Sequence, residues 1–205
     1  MKKVFFTGLA IFGLLYVGAC SDDDAPASTT TLTETQAEAV ASAVGEGTGA
    51  AVQGGGFGRL AVRSQGTGSA AVDGTFTCEG GGSISTAGTT TVNEFTQSSA
   101  SADYGVTSTF NDCIVQTEEG DNLTLSGSVT NNGGFDFTFS ETSIGGSVSA
   151  DITGNIDVSG DNVTSGTCGV SISVNSTIAD NVVNSTASGS VCGQSVSFSE
   201  TDTID

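Results

Sequence analysis

From Leu60 onward the apolar residues recur at every second position, and that period points to half-buried β-strands. Val72, Phe76 and Cys78 alternate with Asp73, Thr75, Thr77 and Glu79. Tyr104, Val106 and Phe110 keep the same spacing, as do Leu123, Leu125 and Val129, then Phe135, Phe137 and Phe139. Val170, Ile172, Val174 and Ile178 follow, and finally Val196 and Phe198. One face of each run is Val, Ile or Phe and the other Ser, Thr or Asn. Strands with one wet face belong to antiparallel sheets. About ten strands, divided by Gly, Asn and Asp turns, predict an all-β domain. The expected architecture is an antiparallel β-meander curled into a barrel or two-layer sheet, with one short N-terminal α-helix. The stretch from Ile144 to Val158 keeps its phase across Gly154-Asn155. A two-residue hairpin would invert that phase. Either an odd-length loop sits there or one long strand bends at Gly154.

Short echoes support a meander. Gly120-Asp121-Asn122-Leu123-Thr124 recurs as Gly160-Asp161-Asn162-Val163-Thr164, and Asp180-Asn181-Val182 repeats the turn. Asp-Asn beside Gly favours a turn that releases into a strand. Cys168-Gly169-Val170-Ser171-Ile172-Ser173 is echoed by Cys192-Gly193-Gln194-Ser195-Val196-Ser197. These are hairpin-scale echoes, not a solenoid period.

Cys78, Cys113, Cys168 and Cys192 form an even set in a chain without His. Two disulfides fit that set better than zinc, whose all-cysteine sites arrive as close C-x2-C pairs. Of three connectivities, Cys168–Cys192 with Cys78–Cys113 is expected. A hairpin turning about Asp180 sets Cys168 opposite Cys192, and the other bond follows by elimination. The apolar phases of that hairpin's strands disagree by one, which calls for a bulge, placed at Gly189.

The N-terminus carries the most specific motif. Met1-Lys2-Lys3 is a basic start, Val4 to Val17 is apolar, and Gly18-Ala19-Cys20-Ser21 precedes Asp22-Asp23-Asp24. An apolar run of about fourteen residues is short of the ~20 that span a bilayer as a helix, and it reads as a secretory signal segment. Val17-Gly18-Ala19-Cys20 resembles the bacterial lipobox. The resemblance implies diacylglycerol on the Cys20 sulfur, cleavage after Ala19 and acylation of the new amino terminus. Several acyl chains hold a membrane far more firmly than one. Ser21 after the cysteine favours the outer membrane, and the acidic run resembles surface-export signals. The segments expected are a signal peptide over 1–19, a lipidated Cys20 and polar tether over 20–31, a helix over 32–45, and a β-rich domain over 46–205. For the helix, Leu32 serves as staple, Thr33 as N-cap and Gln36 as capping-box partner. Ala37, Val40, Ala41 and Val44 form its apolar face, and Gly45 stops it. From Cys78 to Cys192 the cysteine and turn pattern resembles that of uncharacterised β-rich bacterial lipoproteins, a family that supplies no activity to carry over.

Composition narrows function. The chain of 205 residues has no His and no Trp, which removes Ser-His-Asp and Cys-His catalysis and imidazole metal sites. Cleavage after Ala19 would remove Lys2 and Lys3, leaving 23 acids against Arg59 and Arg63, or 23 − 2 = 21 net negative charges. That charge repels phosphate backbones, so nucleic acid is excluded as a partner. Glu118-Glu119-Asp121 and Asp22–Asp24 are acidic clusters without a calcium-loop motif, and they read as solvated turns; no metal and no cofactor is expected. The expected function is a non-enzymatic structural or binding domain anchored at the outer membrane. Its partners are the membrane through the lipid and, at a hydroxyl-rich face, a glycan, a protein or a small apolar ligand. The alternative is a surface hydrolase, for example glycan-acting, working through a carboxylate pair.

Overall fold

The computed structural model describes residues 29–51, 67–140 and 143–203. Cys20, Asp22–Asp24, Arg59, Arg63 and the signal segment lie outside the described residues. One helix, α1 (Glu34–Ala51), precedes eight strands: β1 (Gly68–Thr77), β2 (Ser83–Phe95), β3 (Ser99–Gln116), β4 (Asn122–Phe139), β5 (Ile144–Gly160), β6 (Gly166–Ala179), β7 (Val182–Val191) and β8 (Gln194–Thr203). They form one sheet in the order β1 to β8, each strand antiparallel to the next. The expected all-β meander is therefore present. Among the described residues its ladder ends at β1 and β8.

The sheet is nonetheless curled. Seven strand spacings would put β1 and β8 about 34 Å apart in a flat sheet. Yet α1, a rod about 10–12 Å across, touches β1 to β4 as well as β7 and β8. Val72 and Phe76 of β1 also pack in one cluster with Tyr104 and Val106 of β3, Ala150 of β5 and Val174 of β6. The concave face encloses the core. There Phe110, Leu123, Leu125, Val129, Ile156, Val158 and Val170 are buried against Val40, Ala41 and Val44 of the helix.

Eight strands replace the expected ten because turn-like composition is absorbed into long strands. Asn131-Asn132-Gly133-Gly134 runs straight through β4. Gly133 lies opposite Tyr104 in register, and a Cβ on it would stand 2.6 Å from the Tyr104 hydroxyl. The glycine is the seat for the ring, and burial pushes the Tyr104 phenol pKa up. β5 is likewise one strand through Gly154, the second of the two expected arrangements. Strand β4 approaches so closely there that a Cβ would lie 2.4 Å from the Ser128 carbonyl oxygen.

The helix starts as expected and ends later. Gln36 N–H donates to Thr33 Oγ1 at 3.3 Å, and Thr33 N–H to Gln36 Oε1 at 3.0 Å, a reciprocal capping box. Leu32 and Ala37 share the core cluster. Gly45 does not stop α1, which runs to Ala51. An interior glycine costs only about 1 kcal/mol relative to Ala, and Thr48 holds the following turn. Its side chain is buried, and its hydroxyl donates to the Val44 carbonyl at 2.8 Å. Among the described residues the first strand begins at Gly68.

Candidate functional site

A meander has two ends, and here they differ in chemistry. The β1–β2, β3–β4, β5–β6 and β7–β8 turns share one end, which the helix covers. The β2–β3, β4–β5 and β6–β7 turns share the other.

The covered end holds both cysteine pairs. Cys78 joins Cys113 with 5.6 Å between Cα atoms, and Cys168 joins Cys192 with 4.4 Å, within the usual disulfide range. The pairing is the expected one, but its route is not. Gly189 carries no bulge: β6 and β7 keep one register from Ala179↔Val182 to Val170↔Val191, with Gly189 opposite Ile172. Asp180 and Asn181, at φ 51° and 63°, form the two-residue hairpin turn. With that turn the apolar phases agree, and it is Cys192 that falls outside the ladder. It occupies the next tight turn at φ 53° with Gly193, which swings its sulfur to Cys168. Cys113 needs a different device. A bulge between Phe110 and Cys113 contains Asp112 at φ 49°. The extra residue flips the strand's phase, so Cys113 becomes buried.

The repeated turns meet at this end. Asn122 N–H donates to Asp161 Oδ2 at 3.1 Å, Asp161 N–H to the Asn122 carbonyl at 3.0 Å, and Asn162 Nδ2 to Asp121 Oδ1 at 3.0 Å. Asp121 also accepts from Gln36 Nε2 at 3.3 Å, tying the helix start to the β3–β4 turn. Of the acidic cluster, Asp121 is thus engaged structurally, while Glu118 and Glu119 are exposed. Among the described residues no three His, Cys, Asp or Glu side chains converge on a metal position. Glu38 has its pKa raised, first by burial and then by Glu34 and Glu118. The chain segment leading to the helix is fastened here as well. Thr29 N–H donates to the Thr167 carbonyl at 2.8 Å, Thr167 N–H to Thr29 Oγ1 at 2.9 Å, and the buried Thr30 hydroxyl to the Thr164 carbonyl.

Midway down the concave face lies a polar band. Thr90 Oγ1, Ser108 Oγ and Asn131 Oδ1 are buried without a protein hydrogen-bond partner, as is Glu200 Oε2 nearer the open end. Such groups weaken the interior by about 1–3 kcal/mol each. Ser108 faces Thr86 on β2 and Val129 on β4, so no base stands beside its hydroxyl in register. In the sequence the band shows only as Ser108 in phase between the buried Val106 and Phe110.

The convex face is almost wholly hydroxyl, amide and carboxylate. Directly opposed residues pair across it: Ser69 with Thr91 at 3.0 Å, Thr107 with Thr130 at 3.3 Å, Thr167 with Asp157 at 2.8 Å, and Thr201 with Asn184 at 2.8 Å. Lys2, Lys3, Arg59 and Arg63 all lie outside the described residues; among the described residues, hydroxyls and amides are the partners shown for these carboxylates.

The open end is aromatic. Phe135 and Phe137 stack with centroids 5.0 Å apart. Phe95 and Phe139 are the large hydrophobic side chains left exposed among the described residues. A groove of about 310 Å³ lies between the β4–β5 and β6–β7 hairpins, lined by Phe139, Ile144, Ile178 and Asp180 among others.

No protein-family model matches the chain, and neither a curated protein nor a solved structure matches it significantly.

Proposed function

We propose that this chain is a non-enzymatic binding domain tethered to the bacterial outer membrane through lipid on Cys20. The observation that carries the reading is the fastening of Thr29 and Thr30 to Thr167 and Thr164 at the helix-covered end. From Cys20 to Thr29 an extended chain reaches about 30 Å. A lipid at Cys20 would therefore leash the covered end toward the bilayer and leave the open, aromatic end facing outward. The disulfide-forming cysteines suit an oxidising, exported location. The carboxylates support binding rather than catalysis, because those on the convex face are spread along it and paired with hydroxyls. The net negative charge disfavours nucleic acid and anionic lipid headgroups as partners.

Metabolic labelling of an expressing bacterium with a fatty-acid analogue tests the anchor. The full chain is expected to be labelled and to fractionate with outer membrane, and Cys20→Ala to lose both properties. A labelled Cys20→Ala protein, or an unlabelled and soluble wild type, would overturn the proposal.

A further inference from the structure

We infer that the groove between the β4–β5 and β6–β7 hairpins is a docking site for a cationic peptide segment that inserts an apolar side chain. The inference rests on the reading of the domain as a binding module and assigns that module its contact point. The groove exists because the β5–β6 ladder ends at the Gly146↔Ile178 pair. Beyond that pair Ile144 and Gly145 part from Ala179 and Asp180, and the space between them opens. One end of the space is pinned, since Ile144 N–H donates to Asn181 Oδ1 at 3.1 Å. The tight Asp180-Asn181 turn is conformationally restricted as well. A groove of about 310 Å³ is at the small end of ligand sites, the scale of one side chain and its neighbours rather than of a whole lipid.

Chemistry selects the occupant. Ile144 and Ile178, half-buried, and Phe139, left 37% exposed, form an apolar strip beside Thr138, Ser140 and Ser143. Phe95, equally exposed, stands at the same end, two strands from Phe137 through the Phe95↔Ala100↔Phe137 row. The surroundings are anionic: Asp180 lines the groove, and Glu94, Asp136 and Asp202 are exposed on strand ends of this rim. The described residues contain no Lys, Arg or His to offset them. An apolar strip in a field of one sign favours an apolar anchor flanked by the opposite charge.

The test is fluorescence anisotropy of a labelled, amidated peptide of alternating leucine and lysine against the full-length chain in detergent at 0.15 M salt. Saturable one-to-one binding is expected. Phe139→Ser should weaken it at least tenfold and Asp180→Asn about threefold; Asn is at home at the turn's positive φ, so the hairpin persists. Asp151→Asn, on the convex face, should leave affinity unchanged. Peptides with serine for leucine, or glutamate for lysine, should not bind. Equal binding by wild type and Phe139→Ser, or equal weakening by Asp151→Asn and Asp180→Asn, would reduce the effect to diffuse charge and overturn the inference. Self-association abolished by Phe139→Ser, without peptide binding, would assign the groove to a second copy and overturn it too. Loss of lipid labelling at Cys20 bears only on the anchor, and loss of peptide binding only on the groove.

Discussion

The two ends of this sheet are built from the same strands and solve opposite problems. At the covered end each of the four turns is tied to something distant in sequence. Cys78 reaches Cys113, Asp121 reaches Gln36, the Thr164 carbonyl accepts from the Thr30 hydroxyl, and Cys192 reaches Cys168. At the open end the turns carry local bonds, as in Thr96 with Ser99 and Ser140 with Ser143. They cross to one another by single hydrogen bonds, Phe139 N–H to the Ser98 carbonyl and Ile144 N–H to Asn181 Oδ1, and among the described residues no disulfide lies at this end. Aromatic rings there stay in contact with solvent. Long-range ties raise the stability of the whole domain, whereas local ones hold only a loop. A surface that must accept a partner is drawn from the less stabilised part of a fold.

Cutting the ties should separate the ends most. Paired serine replacement of Cys78 and Cys113 is expected to cost about 4 kcal/mol, and of Cys168 and Cys192 about 3 kcal/mol, from the chain entropy of their loops. Phe139→Ser at the open end should cost under about 0.5 kcal/mol, as an exposed substitution. Urea unfolding under oxidising conditions compares the three, and comparable losses at both ends would break the contrast.

Smaller changes within the helix sharpen it. Thr33→Ala removes the N-cap and should destabilise by about 1 kcal/mol. Gly45→Ala should do the reverse by roughly the same amount, because the new Cβ meets nothing within 4 Å while the helix gains propensity. Thermal melts of the two variants should move in opposite directions from wild type. A lower Tm for Gly45→Ala would mean that the helix does not run on through Gly45.

The smallest effect is electrostatic. Burial first, then Glu34 and Glu118, raise the Glu38 pKa above the ordinary carboxylate value of 4.5. A raised carboxylate binds its proton more tightly folded than unfolded, so its ionisation opposes folding as pH rises through that window. Glu38→Gln should therefore raise Tm slightly at neutral pH, and the difference should fade once pH drops below about 4.5. A Tm gap independent of pH would mean that packing, not charge, sets the effect.

Much of this architecture was legible in the sequence, for reasons that are local. Period-two alternation reports which face of a strand is wet wherever one face is buried, and so the all-β meander and most of the concave-face residues follow from it. The capping box at Thr33 and Gln36 and the tight turn at Asp180-Asn181 are equally local, since each depends on residues within one turn. Alternation predicts the right cysteine pairing but asks for a bulge at Gly189 that the strand pair lacks, because it counts Cys192 into the ladder when Cys192 sits in the next tight turn.

Tertiary structure decided what depends on neighbours far along the chain. Asn131-Asn132-Gly133-Gly134 has the composition of a turn and becomes strand because Tyr104, across β3, needs the space above Gly133. Gly45 stays helical because the Thr48 hydroxyl returns to the Val44 carbonyl and the buried face of α1 docks on the curled sheet. The bulge at Asp112 has no signature in alternation until Cys113 must face inward. The groove joins hairpins some forty residues apart, whose tips part where one ladder happens to end. Local patterns are set by steric and hydrogen-bonding rules a few residues long, and the sequence carries them openly. The curl of the sheet, and hence which residues share its interior and its rim, is set by packing across the whole domain, and only the folded chain expresses it.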